Sequence, residues 1–83
     1  DRVTSRDLSA ELAEFLLSRA DHSGMISLSH KSIADELGTA REVVSRKLKD
    51  WEKQAWVQLH RGVLKVLNRE ALGRLWRGRR PPL

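Results

Sequence analysis

Ser29–Glu52, SHKSIADELGTAREVVSRKLKDWE, contains two short amphipathic runs separated by a single glycine. In the first run Ile33, Ala34 and Leu37 fall on one helical face, Asp35 and Glu36 turn to water, and Ser29 stands where an N-cap is needed. Gly38 follows Leu37 at the point where a helix C-terminus favours positive φ, a conformation glycine adopts without a Cβ clash. Thr39-Ala40-Arg41-Glu42 has the form of a capping box, which predicts that a second helix begins at once, with Thr39 as its cap. Ala40, Val44, Leu48 and Trp51 then recur as the expected buried stripe of that helix. The spacing of small Ala34 before Gly38 and apolar Val44 after it suits two helices crossing at a steep angle. The stretch therefore reads as a helix-turn-helix.

The stripe leaves Arg41, Glu42, Ser45, Arg46 and Lys49 on the outer face of the second helix, most of them in its first two turns. A charged outer face is ordinary for a soluble helix. These side chains also have the chemistry of base recognition: arginine can pair bidentately with a guanine edge, and glutamate can accept from a cytosine amine. Eighty-three residues form one small domain, burying only about 60–65% of the unfolded surface and leaving little room for an enclosed catalytic cavity. An enzyme is disfavoured on that ground. Zero cysteines exclude disulfides and thiolate metal sites, and no apolar run reaches transmembrane length. The chain is expected to be soluble and cytoplasmic, with no membrane partner.

Charge is divided unevenly along the chain. Residues 1–59 carry nine basic and ten acidic side chains, whereas residues 60–83 carry seven and one, so the net charge of +5 comes from the C-terminal part. Within that part Trp56–Leu67, WVQLHRGVLKVL, reads as a hairpin: two β-rich runs flank Arg61-Gly62. Arg-Gly is a weaker turn signal than Asn-Gly, and it leaves the register open. Behind a recognition helix such a hairpin is a wing, with His60 and Arg61 at its tip and Lys65 further along the strand as candidate phosphate contacts. Asn68 is placed to cap a last helix running from Arg69 to about Trp76 and packing through Ala71, Leu72 and Leu75. Upstream, Leu8, Leu12, Phe15, Leu16 and Ala20 have helical spacing, with Ser5 or Ser9 as the cap; Asp21–Gly24 reads as a turn and Met25–Leu28 as a short strand able to pair with the hairpin. The expected fold is mostly α with a small β-sheet: helix, strand, helix-turn-helix, β-hairpin wing, C-terminal helix, a winged helix over residues 8–76. Residues 77–83 are expected to form a basic disordered tail.

ISLSHKSIADELGTAREVVSRKLKDWEKQAWV (residues 26–57), followed by the wing and LNREALGRLW (residues 67–76), resembles the C-terminal DNA-binding domain of the Crp/Fnr family of bacterial transcription regulators. The likeness covers Leu8 to Trp76, and the R-E-x-V-S-R core of the second helix is specific. It implies sequence-specific binding of double-stranded DNA, with helix 40–54 in the major groove of one half of a pseudo-palindrome. Base contacts by Arg41, Glu42 and Arg46 are implied, joined by Ser45 as in the Fnr branch, on a half-site with a G·C core similar to TGTGA. The phosphate-contacting hydroxyl of the family corresponds to Ser29, beside His30 and Lys31. Thr39, Lys49, His60, Arg61 and Lys65 complete the expected phosphate set.

The chain departs from the family pattern at four positions. Ala40 stands where serine is usual, Val43 where threonine is frequent, Lys47 where an apolar residue is common, and Ala55 in place of glycine. The resemblance further implies a sensor β-roll and a long dimerisation helix that this sequence lacks. Residues 1–7 are then expected to be the hinge left after that helix, and the parent protein a homodimer with RNA polymerase as a further partner. No cofactor is expected in this domain, and the effector of the sensor stays unspecified. Two other classes keep the same core or the same residues: a winged helix used for protein or RNA contact, and a hydrolase or metalloenzyme. The second is disfavoured because His22, His30 and His60 are scattered over turn, helix start and wing, without an i, i+4 pair. Trp51, Trp56 and Trp76 are expected in the core rather than in a base-stacking platform.

Overall fold

Leu12, Ala13 and Leu16 on the first helix, Ile33 and Ala34 on the second, Val44, Leu48 and Trp51 on the third, and Leu72 on the last close around one apolar centre together with Ile26, Val57, Leu64 and Val66 from the strands. Each large side chain buried there contributes about 1.5–3 kcal/mol relative to exposure. The computed structural model describes residues 7–77. Its elements are α1 (Leu8–Arg19), β1 (Met25–Ile26), α2 (His30–Leu37), α3 (Arg41–Lys53), β2 (Val57–His60), β3 (Val63–Val66) and α4 (Arg69–Arg77). Mostly helical, with one small antiparallel sheet, the architecture is the expected winged helix-turn-helix. Of the expected hinge 1–7 only Asp7 is among the described residues, and of the expected tail 77–83 only Arg77, the last residue of α4.

Two expected caps shift. α1 is capped by Asp7, whose Oδ1 accepts from Ala10 N at 3.1 Å, rather than by Ser5 or Ser9. For α3, the Thr39 capping box does not form: the N-cap is Ala40, which makes no side-chain cap bond and is exposed, so it leaves the buried stripe. The reason lies in how α2 ends. Gly38 takes the left-handed conformation (φ 69°), and the Thr39 N–H is spent on the Ala34 carbonyl at 3.0 Å, closing a Schellman turn. Thr39 thus finishes one helix and the next starts a residue later. Ser29 caps α2 as expected, accepting from Ser32 N at 3.1 Å, and Asn68 caps α4 through Ala71 N at 3.0 Å.

The sheet has the order β1-β3-β2. Leu59↔Leu64 and His60↔Val63 pair across the hairpin, which settles the register: Arg61 and Gly62 are the two turn residues. β1 is shorter than expected, pairing only Met25 with Lys65 and Ile26 with Leu64, because Ser27 and Leu28 leave the sheet to reach the start of α2. The outer edge of β2 is covered by α3, whose Glu52 Oε2 accepts from Leu59 N at 3.1 Å and so occupies a donor that could otherwise recruit another strand. Trp56 packs against buried Trp51 with ring centroids 6.1 Å apart and planes tilted by 48°.

The turn into β1 is tightly determined. Asp21 Oδ1 accepts from Ser23 Oγ (2.7 Å), Ser23 N (2.9 Å) and Met25 N (3.0 Å), while Arg69 donates to the Asp21 carbonyl at 2.6 Å. Those bonds, the Ser23 hydroxyl foremost, hold the Asp21 carboxyl at about 2, below its ordinary 3.8. A depressed folded value means stability that is fully present above the unfolded value and lost as pH falls from about 4 toward about 2. Asp21→Asn is expected to flatten that acid limb in urea midpoints measured against pH; an unchanged limb would place the acid sensitivity elsewhere.

α3 ends with the device that ends α2, but without glycine. Trp56 N–H bonds the Trp51 carbonyl at 2.9 Å around Ala55, which is held at φ 63°. A left-handed alanine costs about 1 kcal/mol or slightly more, partly offset in a glycine variant by the greater freedom of the unfolded chain. Ala55→Gly is expected to stabilise the domain by about 0.5–1 kcal/mol and raise Tm by roughly 4 °C in a thermal melt. A lower Tm would contradict the strain assigned to this residue.

Candidate nucleic-acid interface

The buried stripe of α3 dictates what its opposite side can hold. With Val44, Leu48 and Trp51 inward, Arg41, Glu42, Arg46 and Lys49 are exposed and Ser45 is half-buried at the edge of the face. These five and His30, from the first turn of α2, line one open depression of about 500 Å³. A second, of about 300 Å³, lies between the start of α2 and the wing and is bounded by Leu28, Ser29, His30, Lys31, Arg41, His60, Gly62 and Val63. His30 and Arg41 belong to both, so the two depressions adjoin along one face.

The residues expected from the sequence are therefore gathered, with three exceptions. Thr39 is half-buried at the turn between the helices and lines neither depression. Arg61 is exposed in the wing turn beside Gly62. Lys65 lies in the central strand between Met25 and Gln58, alternating with buried Leu64 and Val66, and it too lies outside both depressions.

Among the described residues, the side chains of Arg41, Glu42, Arg46 and Lys49 make no hydrogen bond or ion pair. Other charges are engaged: Lys31 with Asp35 at 3.0 Å, Arg74 with Glu70 at 3.0 Å, and Arg19 with Glu36 at 3.5 Å while its guanidinium lies over the Phe15 ring. The face of α3 is thus a set of uncommitted donors and one acceptor held on a rigid helix.

Ser29 and Ser45 are not free in the same way. Ser29 Oγ, besides capping α2, bonds the Ser32 hydroxyl at 3.1 Å. Ser45 Oγ lies 2.8 Å from His30 Nδ1, a side-chain bond between the two helices of the motif. Partial burial, and then the charges of Arg41 and Lys49, hold the His30 imidazole below its ordinary 6.5, which favours the neutral ring. Sequence reasoning placed His30 on phosphate and Ser45 on a base without joining them; the bond spans 15 residues and depends on the helix crossing. Lys47 was likewise left unexplained. Its Nζ donates to Ser9 Oγ at 2.8 Å, tying α3 to the first turn of α1 and giving a half-buried ammonium a partner.

No three His, Asp or Glu side chains among the described residues come together as a metal site. No helix among them is long and apolar enough to cross a membrane.

The sequence model of the Crp-like helix-turn-helix domain matches residues 11–75. No curated protein sequence matches the chain significantly. Among solved structures, a protein of Eubacterium rectale described as a transcriptional regulator of the Crp/Fnr family superposes with a TM-score of 0.81 at 31% identity, over 87% of this chain and 34% of its own. A CRP-family transcriptional regulator of Thermus thermophilus gives 0.76 at 28% identity, over 87% of this chain and 41% of its own. The catabolite activator protein of the same organism gives 0.68 at 25%, over 86% and 32%. The chain spans between about a third and two fifths of the length of these structures.

Proposed function

Because this chain belongs to the Crp-like helix-turn-helix domain family, we propose that it binds double-stranded DNA sequence-specifically, with α3 in the major groove and the wing against the neighbouring backbone. The observation that carries this reading is the convergence of Arg41, Glu42, Ser45, Arg46 and Lys49 in one depression, with their charged groups unpaired. Unpaired donors on an outward face have no internal bond to break before meeting a ligand, only side-chain ordering and desolvation to offset, whereas charges already tied in ion pairs would have to be released first. Arg41 and Arg46 donate to guanine O6 and N7, Glu42 accepts from cytosine N4, and Ser45 bonds a further base edge.

Ser29, His30, Lys31, Thr39, Lys49, His60, Arg61 and Lys65 set the register on phosphates without reading sequence. Thr39 and Lys65, outside the two depressions, are the peripheral members of that set. In a parent homodimer two copies of α3 would stand about one helical turn of DNA apart, facing an inverted repeat.

Selection of bound duplexes from a random pool tests the proposal, and the expected result is enrichment of one short motif with G·C pairs at its core. Retention of duplexes without any sequence enrichment, lost on adding salt, would reduce the chain to a non-specific polycation binder. Arg61→Ala separates the two kinds of contact. It is expected to weaken selected and random duplexes alike and to shallow the slope of log K against log salt by about 1. Titration at several salt concentrations checks this, and a changed ranking of half-sites would instead make Arg61 a base reader.

A further inference from the structure

His30 is the one side chain that both lines the two adjoining depressions and bonds a base-reading candidate. Its Nδ1 is 2.8 Å from Ser45 Oγ, and Nε2 has no partner among the described residues. A serine hydroxyl has one proton to give and two lone pairs. Beside a neutral imidazole the direction of the bond depends on the tautomer: Ser45 either donates its proton to Nδ1 or accepts one from it. Beside an imidazolium no choice remains, because both ring nitrogens are donors. Ser45 must then accept, and its own O–H is released to point elsewhere.

We propose that His30 is a positioning residue for base readout: on duplex DNA its imidazole takes up a proton, Nε2–H donates to a phosphate oxygen, and Nδ1–H donates to Ser45 Oγ, turning the Ser45 hydroxyl into a donor toward a base acceptor. The inference rests on the DNA-binding reading above and deepens it. It states which bases Ser45 selects: those offering an acceptor in the major groove, guanine O6 or N7, adenine N7 or thymine O4, against the cytosine amine.

The surroundings make the proton conditional on the ligand. Arg41 and Lys49 on α3 oppose it in the free domain. Lys31, next to His30 on α2, and His60 on the wing share the cleft, while Arg46 and Glu42 share the depression on α3, and Lys31 is already paired with Asp35. Glu42 is the lone acid of these two linings. A phosphate in the cleft reverses the balance. The sign follows: the complex holds one proton more than the free domain, so affinity rises as pH falls through the histidine range, by up to about tenfold per unit for a single proton.

The test measures affinity for a duplex selected by the chain itself, at about pH 6 and about pH 8, in a His60→Gln background so that the wing imidazole makes no contribution. Tighter binding at the lower pH is expected. His30→Asn places an amide near the Nδ1 position that can donate to Ser45 without titrating; it is expected to abolish the pH response while keeping the base preference at the Ser45 position. His30→Ala is expected to lose both, the preference falling by about five- to tenfold. A pH response that survives His30→Asn, or a base preference that survives His30→Ala, overturns the proposal. Those results leave duplex selection intact. Failure of the parent chain to select any sequence overturns the DNA-binding reading itself.

Discussion

Gly24→Ala is expected to cost the domain about 3 kcal/mol or more and to lower Tm by roughly 15 °C. Gly24 is buried at φ 88°, and a Cβ built on it falls 2.6 Å from the Val66 carbonyl oxygen. That obstacle is backbone in a three-stranded sheet, not the end of a flexible side chain. The Gly24 carbonyl meanwhile accepts from Val66 N at 2.7 Å, so β3 cannot retreat from the new methyl without losing the bond that holds it. Overpacking of this kind costs about 1–3 kcal/mol, and a positive φ forced on alanine adds about 1–2. A domain of this length has in total only about 4–12 kcal/mol to lose. Thermal melts check the result; a Tm within about 3 °C of the parent, less than 1 kcal/mol, would show that the turn relaxes freely.

Arg46→Ala is expected to be the opposite kind of variant, folding as well as the parent and losing discrimination. Arg46 is exposed, makes no side-chain hydrogen bond or ion pair with a described residue and lines the depression from the second turn of α3. Truncating it removes neither packing nor an internal bond, and the change in Tm should stay within about 2 °C. A bidentate arginine–guanine pair is worth about 1–3 kcal/mol of discrimination, so preference for the selected duplex over one with the contacted G·C pair exchanged should fall about 5- to 150-fold. Competition binding between the two duplexes reads this directly. Unchanged preference would remove Arg46 from the readout and leave Arg41 as the arginine to test.

Most of the scaffold is legible in the sequence because it is governed by short-range rules. Val44, Leu48 and Trp51 repeat with the helical period, Gly38 sits where a left-handed residue is needed, and Ser29 and Asn68 lie at cap positions with a donor three residues on. The errors at Asp7 and Thr39 have a common origin. Several residues near each helix start have cap chemistry, so spacing alone does not single out the one that acts. The Thr39 N–H, bonded to Ala34, is not available to Glu42 for the reciprocal half of a capping box, a fact about the end of α2 and not about the start of α3.

The site divides along the same line. Arg41, Glu42, Arg46 and Lys49 are readable as an outward face because burial on one side of a helix fixes the other. The His30–Ser45 and Lys47–Ser9 bonds, spanning 15 and 38 residues, are not legible because the spacing that predicts a steep α2–α3 crossing does not say which polar side chains meet across it, nor how α1 lies against α3. Lys47 shows that an unusual residue in a pattern is a signal: a lysine at a half-buried position requires a polar partner, and its partner was the thing to seek.

The side chains of Arg41, Glu42 and Arg46 are tied to no described neighbour by a hydrogen bond or ion pair, and this has an evolutionary consequence. Mutations at these positions break no internal bond and cost folding little, at Glu42 the roughly 0.3–1 kcal/mol of an acid in the first turn of α3, so a lineage can drift from one operator to another through intermediates that all remain stable. Ser45 does not share that freedom, since a new residue there must also satisfy or replace His30. Diversification should accordingly proceed by single steps at 41, 42 and 46, whereas position 45 should change only in concert with position 30. A randomised library screened first for folding and then for operator choice would display this asymmetry as independence at three sites and linkage at the fourth.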